Sequence, residues 1–160
     1  MNREVLEVLE KDSKATQKQI AAMTGLPVAQ VRATIEEAEK NRVILKYKTV
    51  INWDKLEDER VRALIEVKIQ PEKDVGFDAI AERIYRFPEA VSVYLVSGEY
   101  DLAVFVVART KHDVAKFVSD KLAALESVQG TLTHFFLKAY KEDGEVLEGH
   151  EKVRREPMTL

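Results

Sequence analysis

A chain of 160 residues, 46% apolar and 33% charged, suffices for one ordinary domain or two small ones and reads as globular. It has no cysteine, which excludes disulfides, zinc–thiolate sites and thiol nucleophiles. No apolar run nears the roughly 20 residues of a membrane helix, and the first residues show no leader pattern, so the expected setting is the cytoplasm with no membrane contact. A net charge of −3 argues against a wholesale nucleic-acid coat but leaves room for a local basic patch.

From the N-terminus, apolar spacing predicts three short helices and a ribbon. The first covers residues 3–11, with Val5, Leu6 and Leu9 on one stripe. The second begins after Thr16, which with Gln19 forms a capping-box pattern; Ile20 and Met23 give its apolar face and Gly25 ends it. The third opens at Pro27 and places Val28, Val31, Ile35 and Ala38 on one side, with Gln30, Arg32, Thr34, Glu36 and Glu37 on the other. Residues 43–51 follow as a strand or short ribbon carrying Lys46 and Lys48. Two helices about a short glycine-containing turn, preceded by a third, make a helix-turn-helix; the plain alternative is a helical cap with no nucleic-acid role. The domain boundaries expected are 1–51 for this module, 52–60 for a charged linker pinned by Trp53 and Leu56, 61–140 for a second domain and 141–160 for a charged tail, mobile or partner-dependent, that Val146, Leu147 and Val153 anchor weakly.

The second domain reads strand, helix, strand, strand, helix, strand. Residues 61–70 alternate, with Ala63, Ile65, Val67 and Ile69 facing one way, and Pro71 stops the run. Phe77, Ile80, Ala81, Ile84 and Tyr85 mark a helix that Pro88 ends. Two β-branched and aromatic runs, 91–96 and 102–108, then fold about the polar corner Ser97-Gly98-Glu99-Tyr100-Asp101. Thr110 and Asp113 cap a helix with Val114, Phe117, Val118, Leu122 and Leu125 inward, and residues 128–140 form the last strand. This order is the ferredoxin-like βαββαβ unit, so the fold class is α+β: a winged helix-turn-helix followed by a ferredoxin-like domain. In that unit both helices cover one face of an antiparallel sheet. Yet the 102–108 run does not alternate, and either Phe105 or Val104, with either Leu132 or Phe135, must lie on the other face. An apolar face of that size calls for a cover, and the economical one is a second copy, giving a homodimer.

The helix-turn-helix, the ribbon and the Gly-x-Tyr-Asp corner between Val-Ser-Val-Tyr-Leu-Val and Leu-Ala-Val-Phe-Val-Val, with Gln129-Gly130-Thr131-Leu132-Thr133 after the second helix, resemble the leucine-responsive/asparagine-synthetase-regulator (Lrp/AsnC, feast/famine) family over residues 1–140. The resemblance implies a transcriptional regulator, not an enzyme, whose N-terminal module binds double-stranded DNA. It also implies that the C-terminal module forms dimers, assembles them into octamers or similar rings, and binds an amino acid or related metabolite between dimers. The chain departs from the family pattern at Pro27, where Ser is usual, at Thr34 (Arg), Glu37 (a basic residue), Ala38 (Leu) and Arg42 (Gly). The third helix is acidic through Glu36, Glu37 and Glu39, which costs phosphate affinity, although residues 1–50 hold nine Lys and Arg against seven Asp and Glu.

On this reading Lys18, Gln30, Arg32, Thr34, Arg42, Lys46 and Lys48 contact DNA, with Gln30, Arg32 and Thr34 reaching base edges and Arg42, Lys46 and Lys48 holding phosphates. Ser97, Gly98, Glu99, Tyr100 and Asp101, with Thr131 and Thr133, form the effector site: backbone N–H groups for a carboxylate, Glu99 or Asp101 for an ammonium, hydroxyls beside them. The plain alternative is a polar hairpin and two surface threonines. His112, His134 and His150 share no metal-ligand spacing, and no cofactor or catalytic constellation stands out. Two other readings stay open. One is a ligand-sensing oligomer whose weakened helix-turn-helix binds a protein partner. The other is a tetrapyrrole decarboxylase-like enzyme using Arg83, Tyr85, Arg86 and His134.

Overall fold

The computed structural model describes residues 2–56, 59–70 and 76–148. Pro71, His150, residues 57 and 58 of the linker and the tail from 149 onward lie outside the described residues. The chain divides into two compact units, Met1–Ile51 and Asn52–Leu160.

The first unit holds helices α1 (Arg3–Lys11), α2 (Gln17–Thr24) and α3 (Val28–Lys40). Its core is Val5, Leu9, Ile20, Ala21 and Val31, with Ile35 and Ile44 packed against it. The Thr16 capping box forms as the sequence predicts, the Gln19 N–H donating to Thr16 Oγ1 and the Thr16 N–H to Gln19 Oε1. Gly25 closes α2 at φ 70°. Met23 does not join the apolar face; it is 70% exposed and the smaller Ala21 packs instead. Val28, in the first turn of α3, is exposed as well. Residues 43–51 form no strand among the described residues. The stretch is extended but pairs with no neighbouring strand; its bonds include Ser13 Oγ to the Lys48 carbonyl, Tyr47 Oη to Glu39 Oε1 at 2.8 Å, and the Val43 and Ile44 N–H groups to the Ala38 carbonyl.

In the second unit a 3₁₀ turn (Trp53–Leu56) precedes β1 (Val61–Ile69), α4 (Gly76–Tyr85), β2 (Ala90–Leu95), β3 (Leu102–Ala108), α5 (Lys111–Phe117) with a π turn over Val118–Leu122, and β4 (Val128–Phe135). The four strands lie in the order β2-β3-β1-β4, all pairs antiparallel. Ile65, Val67, Leu102, Val104 and Val106 face the helices and pack on Ile80, Ile84, Val114, Phe117, Leu122 and Leu125. Trp53 is half-buried under the Arg60 guanidinium, 4.2 Å from the ring centre, whereas Leu56 is exposed and pins nothing.

The register decides what the sequence left open. Val104 lies opposite Ile65 and Phe135 opposite Ala63, on the helix-covered face; Phe105 lies opposite Leu64, and Leu132 opposite Glu66, on the other. There the Tyr94, Phe105 and Phe136 rings form a row with centroids 6.0 and 6.2 Å apart. Leu132 and Tyr94 beside them are each 56% exposed. The last strand is shorter than the expected 128–140, and the part of the tail within the described residues folds on the unit. Lys141–Glu142 and Glu145–Val146 pair as a hairpin, β5 and β6, about Asp143 (φ 47°) and Gly144 (φ 88°). An Asp-Gly pair with both residues at positive φ is a tight hairpin turn, a signal present in the sequence and passed over there. The hairpin is tied down by Arg62 to Glu142 at 2.6 Å and by Asn52 Nδ2 to the Leu147 carbonyl.

Candidate DNA-binding and effector sites

Helix α3 buries Val31, Thr34 and Ala38, with Ile35 half-buried. These positions recur at three and four residues, so the opposite, solvent-facing line runs through Ala29, Arg32, Ala33, Glu36 and Lys40, all exposed. Thr34, expected to reach base edges, is only 6% exposed and belongs to the core between Val31 and Ala38. The interval from 31 to 38 already implied this, since the residue between them on a helix must share their face. Gln30 is exposed on the flank, and Arg32 points outward with its Nε–H donating to Glu36 Oε1 at 2.7 Å. That bond, then the nearby charge, raises the guanidinium pKa above its ordinary value.

The basic residues expected at phosphates are all exposed: Lys18 on α2, Arg42 just beyond α3, Lys46 and Lys48 on the extended stretch. Arg42 occupies the left-handed region at φ 57°. Its N–H donates to the Glu39 carbonyl at 3.1 Å, and the Val43 N–H donates to the Ala38 carbonyl at 2.8 Å. This paired pattern closes a helix C-terminus and normally has glycine where Arg42 stands. The Tyr47 hydroxyl meets Glu39, and its pKa is raised by burial first and by that hydrogen bond second. With Glu36 held by Arg32 and Glu39 by Tyr47, at least two of the three helix carboxylates are already engaged within the unit.

The corner between β2 and β3 is docked on the end of β1. The Asp101 N–H donates to the Val67 carbonyl at 3.1 Å and the Ile69 N–H donates to Asp101 Oδ2 at 2.8 Å. Lys68 Nζ donates to the Glu99 carbonyl at 2.9 Å and lies 3.5 Å from Asp101 Oδ2. The Asp101 carboxylate, expected to meet a ligand ammonium, therefore already serves the fold. Glu99, Ser97 and Gly98 are exposed and Tyr100 is half-buried. Gly98 sits at φ 152°, with open space where a Cβ would be, so a side chain there strains the backbone rather than clashing.

Thr131 and Thr133 are half-buried on the helix-covered side of β4, opposite Val67 and Ile65. Strand β1 lies between them and the corner, so within one chain the two halves of the expected effector site are two strand spacings apart, about 10 Å. Lys68, a cation at the corner, went unnoticed in the sequence because its position in β1 is adjacent only in the fold. His112 is exposed, and His134 Nε2 lies 3.0 Å from Glu66 Oε1 on the uncovered sheet face. Arg86 bonds Glu82 one turn away, leaving α4 with an ordinary charged surface.

Fold and exposed helix together define a two-unit DNA-binding regulator. Residues 1–44 match the family model described as winged helix-turn-helix DNA-binding, and residues 62–146 match the one described as Lrp/AsnC ligand binding domain. The HTH-type transcriptional regulator YugG of Bacillus subtilis is 51% identical over 146 residues, covering 91% of this chain and 88% of its own. The chain is similar in fold to the leucine response regulatory protein of Mycobacterium tuberculosis, with a TM-score of 0.72 at 20% identity, covering 91% and 97% of the two chains. It is likewise similar to a Neisseria meningitidis transcriptional regulator crystallised as a complex with L-Met, with a TM-score of 0.69 at 21% identity, covering 89% and 93%. The protein belongs to the Lrp/AsnC family and is a DNA-binding transcriptional regulator.

Proposed function

We propose that the protein is a homo-oligomeric regulator in which two second units pair through their uncovered sheet faces, and that an amino acid or related small metabolite bound near the Ser97–Asp101 corner sets its DNA occupancy. The observation that carries the pairing is the row Tyr94, Phe105 and Phe136 with Leu64 and Leu132, an apolar face that none of the described helices of its own unit covers. A second copy offers the same face and satisfies it symmetrically. The effector assignment is supported by the open backbone at Gly98 and the exposed carboxylate of Glu99. The N. meningitidis relative in fold was crystallised with an amino acid, which points to the same ligand class. Because β1 separates the corner from Thr131 and Thr133, a complete site needs a second chain, which fits a ligand held between dimers and rings such as octamers. Lys18, Gln30, Arg32, Arg42, Lys46 and Lys48 remain the DNA contacts of this reading. It is a binding protein of the cytoplasm rather than an enzyme.

The test has two arms. A thermal-shift screen against the twenty amino acids should give at least one hit whose effect is abolished by Glu99→Gln. Gel shift on the duplex upstream of its own gene should show binding in low salt, and changing Lys46 and Lys48 to Ala should weaken binding to all sequences and reduce the salt slope by about two. A second reading, in which the first unit docks a protein partner, is favoured by the carboxylates of α3 alone. It prevails if the wild type binds no duplex in low salt and Glu37→Lys does not restore binding.

A further inference from the structure

The solvent-facing line of α3 carries two short side chains, Ala29 and Ala33, one ion pair, Arg32 with Glu36, and Lys40 at its C-terminal end. The alanines let the helix backbone lie close to whatever it faces. The ion pair then dominates the chemistry of that surface. Glu36 looks misplaced there, since a carboxylate facing DNA opposes binding. Its geometry gives it a use. The bond to Glu36 Oε1 takes the Nε edge of Arg32 at 2.7 Å. A guanidinium has two usable forks, and with the Nε edge taken, the one formed by its two terminal nitrogens remains. That fork matches the O6 and N7 acceptors of guanine in the major groove.

Resting on the reading of α3 as the recognition helix and Arg32 as a base contact, we propose that Glu36 is a positioning residue for sequence recognition: it holds Arg32 by the Nε edge and presents its terminal nitrogens to one guanine in each half-site. In water the pair is exposed on both sides, 66% and 60%, and holds Arg32 only loosely. In the groove, where water is displaced, the same bond fixes the fork. Discrimination is thereby gained at the expense of overall affinity, which gives the acidic helix a role beyond repulsion.

The experiment is selection from a randomised duplex library with wild type, Arg32→Ala, Arg32→Lys and Glu36→Ala, together with binding of one scrambled duplex across a salt series. Circular dichroism confirms that each variant is folded. Wild type should select a G·C pair in each half-site that Arg32→Ala and Arg32→Lys both lose. Glu36→Ala, which removes the acceptor altogether, should relax that same position by about tenfold and no other, while binding the scrambled duplex more tightly than wild type. An unchanged preference in Glu36→Ala overturns the proposal. So does relaxation at a different position, which would mean that Glu36 reads a base itself. If Arg32→Ala leaves every position intact, the failure lies in Arg32 as a reader, and the proposal falls with it.

Discussion

Arg42 shows at the scale of one residue how the chain departs from its own best local solution. It holds a left-handed conformation at φ 57° that closes α3, a position where L side chains cost about 1–2 kcal/mol. Glycine would relieve the strain but free the unfolded chain, so Arg42→Gly should stabilise the first unit by about 0.5–1 kcal/mol net, read as a higher urea midpoint. If Arg42 holds a phosphate, the same variant loses one unit or so of salt slope. The corner gives a second residue-scale contrast. Asp101 accepts from the Ile69 N–H and faces Lys68, so Asp101→Ala should lower stability by about 1.5–3 kcal/mol even without ligand. Glu99→Gln should leave the melting temperature unchanged and weaken only ligand binding. Equal effects of the two would mean that Glu99 too serves the fold. Residue identity alone could not separate these roles. Both are carboxylates in one loop, and only the docking of that loop on β1 distinguishes them.

At the scale of elements, local signals read well and pairings less so. The Thr16 and Thr110 caps, Gly25 and the alternation along β1 are short-range physics, and they stand where the sequence places them. The hairpin turn at Asp143-Gly144 is equally local, but the charged residues on either side of it lack the apolar alternation that marks a strand. The non-strand at 43–51 and the distance between Thr131 and the corner are different. Each depends on which strand lies beside which, and that is decided by contacts far apart in sequence. Lys121 illustrates such a contact. It bridges the start of β2 to the end of the second helical stretch, 2.5 Å from Glu89 Oε1 and over the Phe87 ring. The hydrogen bond from Lys121 holds the Glu89 carboxyl below its ordinary value of 4.5, against the opposing pull of burial. A carboxyl with a lowered folded pKa contributes stability that is fully present above its unfolded value and is lost as pH falls through the folded one. Stability should therefore drop on the acid side, below about pH 5, and Lys121→Met should flatten that drop while lowering stability at neutral pH. Urea unfolding of both proteins from neutral to acid pH checks it; parallel curves would show that the pair is not coupled to folding.

At the scale of the whole molecule, the sequence carried the demand for a second layer and the register supplied its content. An unalternating β3 called for cover on both faces, but whether Phe105 or Val104 faced outward turned on a single-residue shift, which in a strand moves every side chain to the other face. With Phe105, Leu132 and Phe136 outward, the sheet leaves a patch that soluble monomers rarely expose. Phe105→Asp places an unpaired charge in the middle of the proposed interface, at about 3–5 kcal/mol per buried charge, and should dissociate the assembly. Two first units would then no longer belong to one assembly, and operator affinity should fall for want of the second contact. Sedimentation equilibrium of the wild type at micromolar concentration is the most direct measurement. The account predicts a mass of at least two 18.2 kDa chains, reduced toward one by Phe105→Asp. A wild type that sediments as a clean 18.2 kDa monomer would contradict it.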